Sequence, residues 1–111
     1  MPAILLMLTT LPDSESADRL ATALVENHLA ACVSALPACR STFRWQGRVE
    51  TASEILLLIK TQAERYAEAE ALIRSQHPYE LPEIIALPLE RGLAAYLEWV
   101  ARETEPPCLS C

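Results

Sequence analysis

The chain is short of long hydrophobic runs, of glycine and of basic residues. Its longest unbroken apolar runs, residues 3–8 and 55–59, fall far below the roughly 20 residues that a membrane-spanning helix needs. No basic segment precedes the first run, so it does not resemble a secretory signal, and we expect a cytoplasmic protein without membrane contact. Only Gly47 and Gly92 are glycines, so a glycine-rich phosphate loop is absent, and no nucleophile motif indicates an enzyme.

Acidic residues outnumber basic ones by 15 to 9, and the formal net charge is -6. This charge repels nucleic acid, and no basic cluster offsets it, so we expect no nucleic-acid partner. Hydrophobic residues make up 51% of the chain and aromatic ones 5%, which predicts an aliphatic core. The length fits one domain, which we place at residues 1–104, followed by a flexible tail at residues 105–111.

Four cysteines are present, and without a secretory signal we expect them to be free thiols. Cys108 and Cys111 have the spacing of half a zinc site or of a redox pair. No second pair of this kind accompanies them, and two prolines precede them, so inert thiols in the tail are the favoured interpretation. Cys32 and Cys39 are seven residues apart, which places them on opposite faces of an unbroken strand unless a bulge at Pro37 intervenes.

Hydrophobic patterning divides the chain into four strands and three helices. Asp13 or Ser14 offers an N-cap for the first helix, whose apolar face runs from Ala17 to His28 at helical spacing. Pro37 interrupts the second strand and marks it as an edge strand or a bulged one. The expected strands are residues 3–9, 30–45, 53–61 and 83–87, and the expected helices follow residue 14, span residues 63–76 and start near Gly92.

The resulting βαββαβ order, with one more helix at the C-terminus, predicts an α+β protein of the ferredoxin-like class with the first and third strands central. Those two strands are apolar on both faces, whereas two crossover helices can cover only one face of the sheet. A third helix or another subunit must cover the other face. The hairpin between the second and third strands is long enough to overhang the domain, which also favours an assembly.

Several segments resemble the CutA family of divalent-cation tolerance proteins, and the similarity spans about residues 4–104 with matching spacing. The most specific segment is residues 77–88, with sequence HPYELPEIIALP; the others are residues 29–33, 44–50 and 57–61. The resemblance implies a ferredoxin-like fold, a homotrimer akin to the PII signalling proteins, and a role linked to copper and other divalent cations. Two positions differ from the common family pattern, Ser34 standing where Asn is frequent and Ala38 where Gly is frequent.

His77, Glu80 and Glu83 form the leading candidate metal site. Imidazole and carboxylate groups suit copper, zinc and nickel, and Pro78 and Pro82 restrict the loop that carries them. Cys32 is the fourth candidate ligand, since a thiolate favours Cu(I) or Zn(II). The alternatives are a histidine and carboxylates that make structural hydrogen bonds and a cysteine that packs as a small hydrophobic residue.

Three functions therefore remain open. The first is a protein that binds copper or another divalent cation and contributes to the response to metal ions. The second is a PII-like signalling module that binds a small anion or nucleotide between subunits through Arg44, Arg48 and Lys60. The third is a structural trimer that acts through protein–protein contacts. No organic cofactor is implied in any of them.

Overall fold

The computed structural model describes residues 2–107, in which four strands and three α-helices follow one another. Cys108 and Cys111, together with most of the expected tail, lie outside these residues. The strands are β1 (Ile4–Leu11), β2 (Cys32–Trp45), β3 (Arg48–Gln62) and β4 (Ile85–Pro88); the helices are α1 (Ser14–Glu26), α2 (Tyr66–Gln76) and α3 (Ala94–Glu103).

The four strands form one antiparallel sheet in the order β2-β3-β1-β4, so β1 and β3 are central and β2 lies at an edge. This order confirms the predicted ferredoxin-like arrangement. The register of β2 against β3 shifts between Leu36 and Cys39, which is the bulge that Pro37 predicted. Ala38 has a φ of 61° within it, in the left-handed region where glycine is more favourable.

Several predicted boundaries were wrong by a few residues. β1 continues to Leu11, because Pro12 rather than Thr9 stops its pairing. β4 starts at Ile85, two residues later than predicted, and includes Pro88 because an edge position leaves its missing N–H without consequence. The second helix opens with a 3₁₀ turn at Ala63–Arg65, and the third begins at Ala94, after an extended Leu93.

Helices α1 and α2 pack on one face of the sheet and complete an aliphatic core. Asp13 caps α1, its carboxylate accepting a 2.7 Å hydrogen bond from the backbone N–H of Ser16. The prediction that the apolar face of α1 extends to Val25 and His28 is wrong, since both side chains are exposed. The core side chains are Met7, Leu11, Ala17, Leu20, Leu24, Leu29, Ala30, Leu57, Ile59, Ala69 and Ile73.

The opposite face of the sheet is only partly covered by α3. The Gln62 amide donates hydrogen bonds of 2.8 Å to the carbonyl of Ala101 and 3.0 Å to the Thr104 hydroxyl, which anchors α3 at one end of the face. Away from this end, Leu36 remains 42% and Leu87 51% exposed. The third helix alone therefore leaves part of this apolar sheet face uncovered.

The hairpin of β2 and β3 extends beyond the sheet as a two-stranded ribbon. β1 pairs with β3 only between Ile55 and Gln62, whereas β2 pairs with β3 as far as Trp45 and Arg48. The molecule is consequently elongated, with principal extents of 50 × 29 × 23 Å. The ribbon, residues 39–54, has Phe43, Trp45 and Val49 exposed near its tip, which confirms the expected overhang.

Candidate functional site

Both ring nitrogens of His77 contact the protein's own backbone. Nε2 lies 2.8 Å from the carbonyl oxygen of Thr10, at the end of β1, and Nδ1 accepts a 3.1 Å hydrogen bond from the backbone N–H of Tyr79. Nε2 must carry the proton in this arrangement, because a carbonyl can only accept. The imidazole thus joins the segment after α2 to the sheet.

Burial lowers the pKa of His77 below its usual value of 6.5, against the opposing effects of the Thr10 carbonyl and of Glu54. The ring is therefore neutral at pH 7, which suits metal ligation. Yet neither nitrogen is available, since a metal ion would have to displace Thr10 or the Tyr79 N–H. The single chain favours the structural alternative for His77, and the sequence pattern did not separate the two.

Glu54 is a functional candidate that the sequence did not indicate. It lies on β3 at the base of the ribbon, is only 7% exposed, and accepts a 2.7 Å hydrogen bond at Oε2 from the hydroxyl of Tyr79. Burial, followed by this hydrogen bond, raises the pKa of Tyr79 to about 12. Glu54 follows Thr51, Ala52 and Ser53, and this run of small and polar residues carries no signal of burial. The side chain that covers Glu54, Tyr79, belongs to the distant loop after α2.

Glu80 and Glu83 are exposed and line an open groove of about 940 Å³ between the ribbon and the loop after α2. Glu50 and Glu54 line the same groove from the ribbon, and Arg44 is the one basic residue among the lining residues of the described chain. The predicted carboxylates are thus placed together in one concave surface. His77 does not line the groove; its ring contacts the backbone of Thr10 and Tyr79 behind the loop.

Cys32 lies half-buried at the start of β2, opposite Lys60 in the strand register. The ammonium of Lys60 is 3.9 Å from the Cys32 sulfur and donates a 2.7 Å hydrogen bond to the Ser34 hydroxyl. Tyr96 of α3 also approaches this sulfur: burial, and then the Cys32 side chain, raises the pKa of Tyr96. Cys32 therefore faces the incompletely covered side of the sheet, beside the chain's only lysine.

The bulge in β2 places Cys39 on the same face of the sheet as Cys32. Such a bulge was the condition expected from the sequence for a site shared by the two thiols. Their partners in the register, Glu54 and Lys60, are both on β3 and point the same way. However, six residues of strand separate those partners by about 20 Å, at roughly 3.3 Å per residue. The two thiols are too far apart to share one ion.

Cys32 is also remote from the loop that carries the other candidate ligands. Cys32 on β2 is paired with Lys60 on β3, and Lys60 is paired with Leu6 on β1. His77 contacts Thr10, which lies four residues, or about 13 Å, beyond Leu6 along β1. Within residues 2–107, no three His, Cys, Asp or Glu side chains form a group that could hold a metal ion. One chain therefore does not bring the four predicted ligands together.

Comparison with known proteins identifies the family of this chain. The family profile of the CutA1 divalent ion tolerance protein matches residues 5–103, from the second residue of β1 to the last residue of α3. The chain belongs to the CutA1 family. This membership confirms the resemblance found in residues 4–104 of the sequence.

Two curated relatives show how far the similarity to CutA extends. Protein CutA of Homo sapiens is 45% identical over 96 residues, which are 86% of this chain but 54% of the human protein. The chain thus spans about half the length of that relative. The divalent-cation tolerance protein CutA of Thermus thermophilus is 43% identical over 98 residues, which are 88% of this chain and 95% of the bacterial one.

Solved CutA structures have the same fold. The Thermus thermophilus protein matches with a TM-score of 0.90 at 41% identity, over 92% of this chain and 99% of that one. CutA of Xylella fastidiosa matches with a TM-score of 0.90 at 45% identity, over 92% and 98%. No helix in the described part of the chain is long and apolar enough to cross a bilayer.

Proposed function

We propose that this CutA1-family chain is a divalent-cation tolerance protein that binds copper or another divalent cation and contributes to the response to metal ions. The observation that carries the proposal is the family match over residues 5–103, with relatives named for divalent-cation tolerance. The protein acts by binding and not as an enzyme. Its place of action is the cytoplasm, which subcellular fractionation would test; one solved relative, from Archaeoglobus fulgidus, is described as periplasmic.

The working form in this proposal is a homotrimer. Leu36 and Leu87 leave apolar area exposed on the sheet face that α3 does not reach, and burying such side chains stabilises an assembly by roughly 25 cal/mol per Å². The ribbon, which projects beyond its own sheet, supplies a second surface for a neighbouring chain. The number three is what the resemblance to the family implies, whereas these surfaces support only an assembly of more than one chain.

The cation site proposed for the trimer lies between chains. Cys32 faces the incompletely covered side of the sheet, and Glu80 and Glu83 are exposed on the loop, so a neighbouring chain can approach both regions. Thiolate and carboxylate are ligands that Cu(I), Cu(II) and Zn(II) accept. His77 joins this set only if its ring releases Thr10 or Tyr79.

Metal titration of the chelator-treated protein tests the proposal. Isothermal titration with Cu(II) and Zn(II) should show saturable binding, weakened at least tenfold, about 1.4 kcal/mol, by Cys32→Ala or by Glu80→Gln with Glu83→Gln. His77→Ala should weaken it to the same degree only if the ring is a ligand. Cys39→Ala is the matched control, since that thiol lies on the same strand far from Cys32.

Two results would contradict the assignment. Absence of metal binding by the unmodified protein would remove the cation function. Unchanged affinity in the Cys32 variant and in the double carboxylate variant would remove these ligands while leaving metal binding to other groups.

A PII-like anion-binding role is the second candidate, and Lys60 favours it. The ammonium is half-buried beside Ser34 and Cys32, and neither of the two ion pairs among the described residues involves it. A partly buried cation without a carboxylate partner is a natural contact for a small anion. Titration with phosphate and a nucleotide panel, repeated with Lys60→Gln, separates this role from cation binding; binding of neither class would favour the structural trimer.

A further inference from the structure

The half-buried ammonium of Lys60 contacts no carboxylate of its own chain among the described residues. Its Nζ donates a 2.7 Å hydrogen bond to the Ser34 hydroxyl and lies 3.9 Å from the Cys32 sulfur, and neither of the two ion pairs in residues 2–107 includes it. An ammonium has three donor hydrogens, so one is left for a further acceptor. A charge withdrawn from water is unfavourable unless an opposite charge compensates it, so this position favours contact with an anion.

The sheet face around Lys60 does not supply that anion. The neighbours of Lys60 on this face are Leu58 along β3, Leu6 across from it on β1 and Leu87 beyond Leu6 on β4. Glu54, which points the same way from β3, lies six residues or about 20 Å away. A two-fold contact of this face with its own copy would thus bring apolar and cationic groups together without a carboxylate. A head-to-tail contact with a different surface of a second copy is favoured instead, and such contacts can close a ring.

The loop after α2 presents a complementary surface at residues 80–83. Glu80 and Glu83 are exposed, and neither enters an ion pair within the described part of the chain. Leu81 between them is 72% exposed. An apolar side chain this exposed, flanked by two carboxylates, matches an apolar sheet face that holds one cation.

The loop and Lys60 are held apart within one chain. The loop is attached to the sheet through the contact of His77 with Thr10, whereas Lys60 is paired with Leu6, four residues or about 13 Å away along β1. Its side chain is directed to Ser34 and not towards the loop. The attachment also fixes the loop in advance, so docking it on a second copy orders few additional groups.

We propose that residues 80–83 of one copy dock on the open sheet face of the next copy, where the carboxylate of Glu80 or Glu83 pairs with Lys60 and Leu81 packs against the apolar side chains beside it. This contact rests on the homotrimer proposed above and names two surfaces that meet in it. It also brings the loop carboxylates of one copy to Cys32 of the next, which is the arrangement that the proposed cation site needs. While no metal is bound, the ammonium of Lys60 compensates a carboxylate there.

Zero-length cross-linking tests the contact directly, because Lys60 is the only lysine of the chain. A carbodiimide activates a carboxylate, and an amine in contact with it displaces the activating group as a urea and forms an amide. The unmodified, chelator-treated protein should give covalent dimers and trimers of the 12.3 kDa chain, with the amide between Lys60 and Glu80 or Glu83 by mass spectrometry. Trimers assembled from isotope-labelled and unlabelled chains should contain mixed cross-linked peptides, which shows that the amide joins two copies.

Dissociation of the assembly on dilution gives a second measure. Lys60→Gln, or Glu80→Gln with Glu83→Gln, should raise the concentration of half-dissociation at least tenfold. All three changes together should add less than threefold to either effect, because the same contact is already lost. Glu26→Gln is the matched control, since Glu26 is exposed on α1, and its variant should stay within twofold of the parent.

The outcomes separate this contact from the homotrimer on which it rests. A trimer in which Lys60 cross-links to another carboxylate, to none, or only within its own chain would overturn the contact and leave the assembly intact. Fully additive effects of the lysine and carboxylate changes would overturn the pairing as well. A monomeric parent would remove the homotrimer and the contact together. Because metal is absent throughout, failure of metal binding has no bearing on these results.

Discussion

The hydroxyl of Tyr79 donates a 2.7 Å hydrogen bond to the buried carboxylate of Glu54, and this bond joins the loop after α2 to the base of the ribbon. It links residues 25 positions apart in sequence. His77 adds a second attachment through Thr10. The loop that carries Glu80 and Glu83 is therefore attached to the sheet at two points. Neither of these two carboxylates makes an attachment itself, so both remain exposed.

Removal of the Tyr79 hydroxyl should destabilise the fold measurably. Tyr79→Phe leaves Glu54 without its donor, and hydrogen bonds to charged groups contribute about 1.5 to 3 kcal/mol. Urea unfolding would measure this change in the free energy of unfolding. Tyr66→Phe is the matched control: its hydroxyl bonds Glu70 at 2.9 Å within one helix, in a more exposed setting, so a loss below about 1 kcal/mol is expected.

The same tyrosine predicts a loss of stability at alkaline pH. The pKa of Tyr79 is raised to about 12 in the folded protein against 10.0 ordinarily, so the folded state retains a proton that the unfolded state releases. The contribution is complete below pH 10 and disappears as pH rises from 10 to 12. Thermal melts across this range should show a steeper decline for the unmodified protein than for Tyr79→Phe; parallel curves would contradict the assignment.

His77 predicts a separate loss of stability at acidic pH. Because burial lowers its pKa in the folded state, the unfolded chain binds a proton first, and stability falls as pH drops below about 6.5. His77→Ala should flatten this part of the stability profile while lowering stability at pH 7. His28→Asn is the control, because His28 is exposed and Asn tolerates its φ of 56°. An equal flattening in both variants would exclude His77 as the cause.

Assembly should depend on the uncovered sheet face and not on exposed apolar residues in general. Leu36 on that face and Val25 on α1 are both 42% exposed, so they form a matched pair. Leu36→Asp should yield a species near the chain mass of 12.3 kDa, whereas Val25→Asp should retain about three times that mass by light scattering. A trimer that survives Leu36→Asp would place the interface elsewhere, and a monomeric parent would exclude the assembly.

The bulge in β2 offers a stabilising substitution. Ala38 has a φ of 61°, which is unfavourable for a residue with a Cβ by about 1 kcal/mol, so Ala38→Gly should raise stability by up to that amount. Ala52→Gly, at a position in β3 without positive φ, should lower stability because glycine is disfavoured in a strand. A loss at both positions would show that unfolded-state entropy outweighs the strain at Ala38.

Removal of residues 106–111 should leave assembly, thermal stability and most metal binding unchanged. Pro106 and Pro107 are exposed, and the family match ends at residue 103. Metal analysis of the truncated protein would decide the role of Cys108 and Cys111, since a large loss of bound metal would assign the site to them.

The sequence determined much of the fold because the relevant signals are local. The two doubly apolar strands were expected to be central, Pro37 was expected to mark an edge strand or a bulge, and Asp13 or Ser14 was expected to cap α1; the structure has β1 and β3 in the centre, a bulge in the edge strand β2, and Asp13 as the cap. Each of these follows from backbone hydrogen bonding or side-chain periodicity within a few residues. The family resemblance came from other local signals, the residue motifs at 29–33, 44–50, 57–61 and 77–88.

Only the tertiary structure decided the candidate site. His77 resembled a metal ligand in sequence, but the folded chain directs both of its nitrogens to backbone groups, one of them on β1. Glu54 resembled a solvated strand residue until the loop after α2 buried it under Tyr79. The separation of Cys32 from that loop depends on strand register. Burial, hydrogen-bond partners and distances arise between segments far apart in the chain, so no local pattern of residue types specifies them.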